Sequence, residues 1–235
     1  KAGTCHQAGA FPEILSANWT RMVRDLCGCC AILMGMKSIN FFFPVLLAAF
    51  ALTPLSAEEP KLESIFNGKD LSGWDVPKDN IWFAVKDGTI MVKNGPKKRG
   101  QTLWTSKQYR DFVIEFDFRM GKGTVDSGIY LRNSREQIQI GISGSLKRDM
   151  TASPYIAGKG YPVEAKRIKE LLKPSDWNTM RIEAKGKDYT VWLAGEKVMN
   201  YTSASAIAKG KIGIQLHGNR VMEIDFRNIK AAELK

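Results

Sequence analysis

The sequence predicts an all-β fold, a jelly-roll sandwich of two antiparallel sheets with one short helix. Three observations predict it. Apolar and polar residues alternate stretch after stretch, as in Phe112-Val113-Ile114-Glu115-Phe116-Asp117-Phe118-Arg119, and a period of two puts one strand face in a core. Two-residue turn signatures such as Asp87-Gly88 and Ala194-Gly195 punctuate these stretches, giving about ten to twelve short strands. Helical patterning is credible only once, at Val163–Leu172, where Pro174 stops it.

The first sixty residues stand apart. Met36–Ala57 carries a positive Lys37, an apolar run from Ile39 to Leu52 and small residues before Glu58, the layout of a secretory signal peptide. The run is short for a membrane span, and Pro44 interrupts it. Residues 1–35 precede this signal and show no clear periodicity, so an upstream translation artefact or a disordered extension is expected there. Cys5, Cys27, Cys29 and Cys30 all lie in that stretch, and no second ligand pair accompanies them.

The expected mature domain, residues 58–235, therefore has no cysteine, hence no disulfide and no thiolate nucleophile. It is long enough to bury one sizeable core. A secreted or periplasmic location follows from the signal. Of the 35 Lys and Arg, four precede residue 58, and of the 24 Asp and Glu, two do, so the domain carries a net charge of +9. The basic stretches, Lys97-Lys98-Arg99, Lys147-Arg148 and Lys166–Lys169, are dispersed and come with no nucleic-acid motif. No nucleic-acid partner is expected, and association with an anionic cell envelope stays open.

Along the domain, Leu62–Phe66 reads as a first strand and Asn67–Asp70 as a turn. Trp82–Lys86 and Thr89–Lys93 form a hairpin about Asp87-Gly88. Leu103-Trp104-Thr105 leads into Asp111–Arg119, and Gly121, Gly123 and Asp126 supply turn chemistry. In the strand that follows, Ile129 and Leu131 point one way and Gly128, Tyr130 and Arg132 the other. Ile138, Ile140 and Ile142 then alternate with Gln137 and Gln139. Ser143–Pro162 is long and irregular, as functional loops are, and carries Lys147, Arg148, Asp149, Tyr155, Lys159 and Tyr161. Thr179–Lys185 follows, then Tyr189–Leu193 and Lys197–Tyr201 about Ala194-Gly195, then Lys211–His217 and Val221–Ile229 about Gly218-Asn219.

Phasing the apolar sets inward yields a candidate site. If the strands share a sheet, one outward face carries His217, Gln215, Arg132, Gln137, Gln139 and Tyr130. His217 is the one histidine of the domain and suits proton transfer near neutral pH. The catalytic candidates are His217, Arg132 and Gln139. The substrate-binding candidates are Tyr130, Gln137, Gln215 and, from the long loop, Lys147, Asp149 and Tyr155. A polyhydroxylated ligand would use such an aromatic and guanidinium surface; ordinary solvated sheet surface is the competing reading. Glu115 with Asp117, and Glu223 with Asp225, share faces as a glycosidase pair would, but a solvated, charge-balanced face is favoured for both. No nucleophile elbow, zinc-protease, P-loop or dinucleotide motif occurs. No spacing supports a metal set, and no cofactor is expected.

Several motifs recur in order: Ile65-Phe66-Asn67-Gly68-Lys69-Asp70-Leu71-Ser72-Gly73-Trp74, Leu103-Trp104-Thr105, Ser127-Gly128-Ile129-Tyr130-Leu131-Arg132 and Gln137-Ile138-Gln139-Ile140. Trp177-Asn178-Thr179, Gly213-Ile214-Gln215-Leu216-His217-Gly218 and Phe226-Arg227-Asn228-Ile229 continue the series. In these the chain from about Glu63 to Leu234 resembles the 3-keto-disaccharide hydrolase domain family. The resemblance implies an exported, concanavalin-A-like jelly roll acting on an oligosaccharide or glycoside oxidised at C3. It implies proton abstraction at C2, elimination of the C1 aglycone and hydration; a non-catalytic carbohydrate-binding domain, with Tyr130, Trp192 and the Ser143–Pro162 loop as its platform, is the alternative. The chain departs from the family pattern at Gln137 (often Glu), Gly141-Ile142 (often an Asp), Asp126 (often Asn) and Leu216 (often Asp).

Overall fold

The computed structural model describes residues 59–235. The expected signal peptide, the extension before it and all four cysteines lie outside the described residues. In chain order the elements are β1 (Glu63–Ser64), β2 (Trp74–Asp75), β3 (Phe83–Lys86), β4 (Thr89–Lys93), β5 (Gln101–Tyr109), β6 (Phe112–Gly123) and β7 (Asp126–Arg132). Then come β8 (Glu136–Gly141), β9 (Pro154–Ile156), α1 (Ile168–Leu171), β10 (Asn178–Lys185), β11 (Asp188–Leu193), β12 (Glu196–Thr202), β13 (Gly210–Leu216) and β14 (Met222–Glu233).

These strands build two antiparallel sheets, the jelly-roll sandwich expected from the alternation. One has the order β12-β11-β10-β6-β14-β4-β3, with β1 also paired to β14; the other runs β2-β5-β13-β7-β8-β9. Phe112, Ile114, Phe116 and Phe118 of β6 face inward and are essentially fully buried. Phe116 packs its ring 5.8 Å from Phe226 of the neighbouring β14. The opposing layer supplies Ile129, Leu131, Ile138, Ile140, Ile212 and Ile214. Each such side chain contributes about 1.5–3 kcal/mol by leaving water.

The other face of the larger sheet explains the paired carboxylates. Asp117 accepts hydrogen bonds from Thr179 Oγ1, Arg227 Nε and Asn228 Nδ2 at 2.7, 3.3 and 2.7 Å. Asp225 pairs with Arg119 at 2.9 Å. Trp177 lies between the guanidiniums of Arg119 and Arg227, 4.7 and 4.0 Å from its ring centre. These carboxylates balance cations and face away from the other sheet.

Two expectations need correction. The helix spans only Ile168–Leu171, because the apolar residues around it, Val163, Ala165 and Leu172, pack on the core from non-helical backbone. Gly218-Asn219 does not turn a hairpin either. β13 and β14 belong to different sheets, so residues 217–221 cross between the layers. Asn94 clasps the crossing: its Nδ2 donates to the His217 carbonyl at 3.0 Å, and its Oδ1 accepts from Met222 N at 3.2 Å. Asp87-Gly88 and Ala194-Gly195 do close hairpins, with positive φ at both turn residues.

Candidate functional site

The outer face of the six-stranded sheet holds a hollow of about 670 Å³, within the usual size range of ligand sites. Strand register explains its floor. Tyr130, Gln137 and Tyr155 are cross-strand partners on β7, β8 and β9, while Gln215, Gly128 and Gln139 form the next row on β13, β7 and β8. Side chains that oppose one another across strands share a face. Gly128 leaves the middle of this floor bare. A Cβ there would fall 2.6 Å from the Ile138 carbonyl oxygen, so no larger residue fits.

A chain of hydrogen bonds runs along one side. Gln137 Nε2 donates to Gln139 Oε1 at 2.9 Å, and Gln139 Nε2 donates to Asp126 Oδ1 at 2.8 Å. Arg220 Nε donates to Asp126 Oδ2, also at 2.8 Å. Because a carboxylate only accepts, Asp126 fixes the direction of the whole chain. Its side chain is 3% exposed and that of Arg220 is 18% exposed. Gly144 lets the loop backbone come close to this pair, since a Cβ there would sit 2.7 Å from Arg220 Nη2.

On the β13 side, Gln215 Nε2 donates to the Tyr130 hydroxyl at 2.7 Å. Burial pushes the Tyr130 phenol up, and the Gln215 hydrogen bond partly offsets it. Tyr155 and Tyr161 meet edge to face at 5.3 Å. Burial likewise pushes Tyr161 up to about 12, so its hydroxyl stays protonated at any ordinary pH. His217 lies exposed at the rim, its Nδ1 2.8 Å from the Gly218 carbonyl oxygen. That oxygen can only accept, so Nδ1 carries the hydrogen and the neutral ring has its lone pair on Nε2, the tautomer being assigned from this bond.

The structure thus brings together His217, Tyr130, Gln137, Gln139, Gln215, Lys147 and Tyr155. It does not bring Arg132 to them. Arg132 ends β7 in the left-handed region, φ 67°, which breaks the strand alternation that would have pointed it into the hollow. Its guanidinium, 0% exposed, donates instead to the carbonyls of Arg110, Gly186 and Ala184 and to Asp111 Oδ1. Asp149 is also absent from the hollow; its Oδ1 caps a turn by accepting from the Thr151 backbone N–H and hydroxyl at 2.8 and 2.6 Å. Trp192 lies on β11 in the other sheet, with Arg181 5.8 Å from its ring centre.

Sequence reasoning missed Asp126 and Arg220 as lining residues, while Ser143 and Tyr161 come from the loop it named as a ligand platform. Asp126 was within reach, because it continues the Gly128, Tyr130 phase by one step. Arg220 carried no periodic signal, since it sits on the inter-sheet crossing. Among the described residues no cluster of three or more His, Cys, Asp or Glu side chains is arranged to hold a metal.

Comparison with known proteins bears on the fold and the family. A search of curated proteins finds no match. Among solved structures, the chain is similar to a candidate glycosyl hydrolase from Parabacteroides distasonis, with 25% identity and a TM-score of 0.57 over 74% of this chain and 100% of that one. A second candidate glycosyl hydrolase from the same organism matches at 22% identity and TM-score 0.56, over 74% and 94%. The carbohydrate-binding module CBM66 from Bacillus subtilis shares the fold at 14% identity and TM-score 0.51, over 68% and 96%. Residues 61–232 match the family described as the 3-keto-alpha-glucoside-1,2-lyase-like domain. The chain belongs to that family, and its function is carbohydrate-related.

Proposed function

We propose that the protein is an exported enzyme that cleaves 3-keto-glycosides. The observation that carries this reading is the His217 ring, whose Nδ1 is held by the Gly218 carbonyl and whose Nε2 lone pair is free at a hollow also lined by Arg220 and Lys147. A ketone at C3 acidifies the hydrogen at C2. His217 Nε2 takes that proton, and the electron pair of the C–H bond moves onto the C3 oxygen as an enolate. Arg220 and Lys147 supply positive charge for this oxyanion. Collapse of the enolate expels the C1 aglycone with its bonding electrons, the leaving oxygen taking up the proton that His217 removed, and leaves a double bond between C1 and C2. Addition of water, hydroxyl to C1 and proton to C2, completes net hydrolysis without a carboxylate pair.

The state of Asp126 supports a mechanism of this kind over ordinary glycoside hydrolysis. Both its oxygens are engaged, and among the described residues it is the one carboxylate lining the hollow. A glycosidase acid–base pair needs two. The same engagement also suits a second reading, a carbohydrate-binding module without catalysis. Incubation of the purified domain with a 3-keto-disaccharide, with release of free monosaccharide as the readout, tests both. Release that vanishes in His217→Ala supports the enzyme; binding without release supports the module, and full activity in His217→Ala removes the imidazole from the mechanism. Export rests on the signal-like stretch 36–57, and mass spectrometry of the secreted N-terminus tests it.

A further inference from the structure

The patterned face of the six-stranded sheet extends past the rim of the hollow. One row of cross-strand partners crosses all six strands: Asp75, Trp104, Gly213, Tyr130, Gln137 and Tyr155. Tyr130, Gln137 and Tyr155 line the hollow, and Trp104 lies next to it, half-buried. Between Trp104 and Tyr130 stands Gly213, where a Cβ would fall 2.7 Å from Trp104 Cε3 and Cζ3. The indole therefore crosses bare backbone to reach Tyr130, and the two rings stack with centroids 5.4 Å apart and planes 18° from parallel. The Lys211–Asp75 ion pair closes the far end of the row.

Gln215 flanks this aromatic pair. It is nine-tenths buried, its amide nitrogen donates to the Tyr130 hydroxyl, and its Oε1 has no protein partner. Gln215 thus fixes the Tyr130 ring from the sheet side. An aromatic face edged by polar side chains matches a pyranose ring, whose C–H face is apolar and whose hydroxyls radiate around it.

We propose that Trp104 and Tyr130 form a second sugar-ring subsite, which takes the leaving ring of a two-ring ligand while the oxidised ring occupies the hollow. Gln215 positions Tyr130 for that ring through its hydrogen bond to the hydroxyl. The assignment rests on reading the hollow as a 3-keto-sugar site.

Calorimetric titration of the His217→Ala protein, in which the proposed reaction does not run, provides the test. The probes are a 3-keto-disaccharide and the methyl 3-keto-glucoside, which lacks the second ring. Trp104→Ala in this background is expected to lose about tenfold more affinity for the disaccharide than for the methyl glycoside. Trp104→Phe should restore most of that difference. Trp104→Leu, which keeps an apolar side chain on the sheet without a ring face, should show the same selectivity, and it stands in if Trp104→Ala does not fold. Equal losses for both probes, no loss for either, or no binding of either overturns the subsite. Failure of the wild-type protein to cleave, with the selective loss intact, rejects the reaction and leaves the subsite standing.

Discussion

Asp126 Oδ2 accepts the Nε–H of Arg220 at 2.8 Å, so a residue on β7 holds a residue on the crossing between the sheets. The other oxygen of Asp126 receives Gln139. One carboxylate thus positions a cation at one end of the hollow and an amide chain along its side. Replacing Asp126 with Ala leaves the Gln139 and Arg220 donors without their acceptor. We expect a stability loss of about 1–3 kcal/mol, read as a lower urea midpoint, and a drop in turnover larger than that of Lys147→Ala.

His217→Ala is expected to lower turnover by about a hundredfold or more, the usual scale for a general base. Its ring is exposed, and its one side-chain hydrogen bond is to the adjacent residue, so the melting temperature should stay within about 2 °C of the wild type. Monosaccharide release and circular dichroism on the same sample check both halves.

Arg132→Ala should do the opposite. Its removal orphans three backbone carbonyls beneath a guanidinium that is itself fully buried, and takes the cation from Asp111. A loss of about 3 kcal/mol or more is expected. Protein that remains folded should keep the wild-type KM, since the guanidinium does not reach the hollow. A changed KM at full folding would return Arg132 to the site.

Tyr161 gives a signature at high pH. Burial raises its folded pKa to about 12, above the ordinary tyrosine value near 10. The neutral phenol is favoured in the folded state, so this contribution to stability is complete below about pH 10 and fades as pH rises toward 12. Tyr161→Phe should flatten the fall in stability over that window, measured by urea unfolding at stepped pH. Absorbance titration should show one late-ionising phenol disappearing in the variant.

Much of the fold was legible because burial on one face writes a period of two into the residues. Phe112 through Phe118 and Ile212 through Leu216 alternated visibly, and both alternations correspond to strands with one set of side chains in the core. The same phase placed Tyr130, Gln137, Gln139, Gln215 and His217 on one face, the face that bears the hollow. Phase assumes unbroken extended backbone, and it failed where that assumption did. Arg132 takes a positive φ at a strand end, and no residue beside it announces this. Gly218-Asn219 looks like a hairpin turn from composition alone, because composition does not say which layer the next strand joins. Asp149 sat in a loop whose local hydrogen bonds, made by Asp149 to Thr151, are invisible to periodicity.

The crossing at 217–221 couples construction of the site to the docking of one strand. β14 inserts between β6 and β4 in the larger layer. Until it docks, Asn94 lacks Met222, one of the two groups it joins. Truncation just before Met222 would therefore leave the crossing clasped at one end only, although most of the core residues precede it.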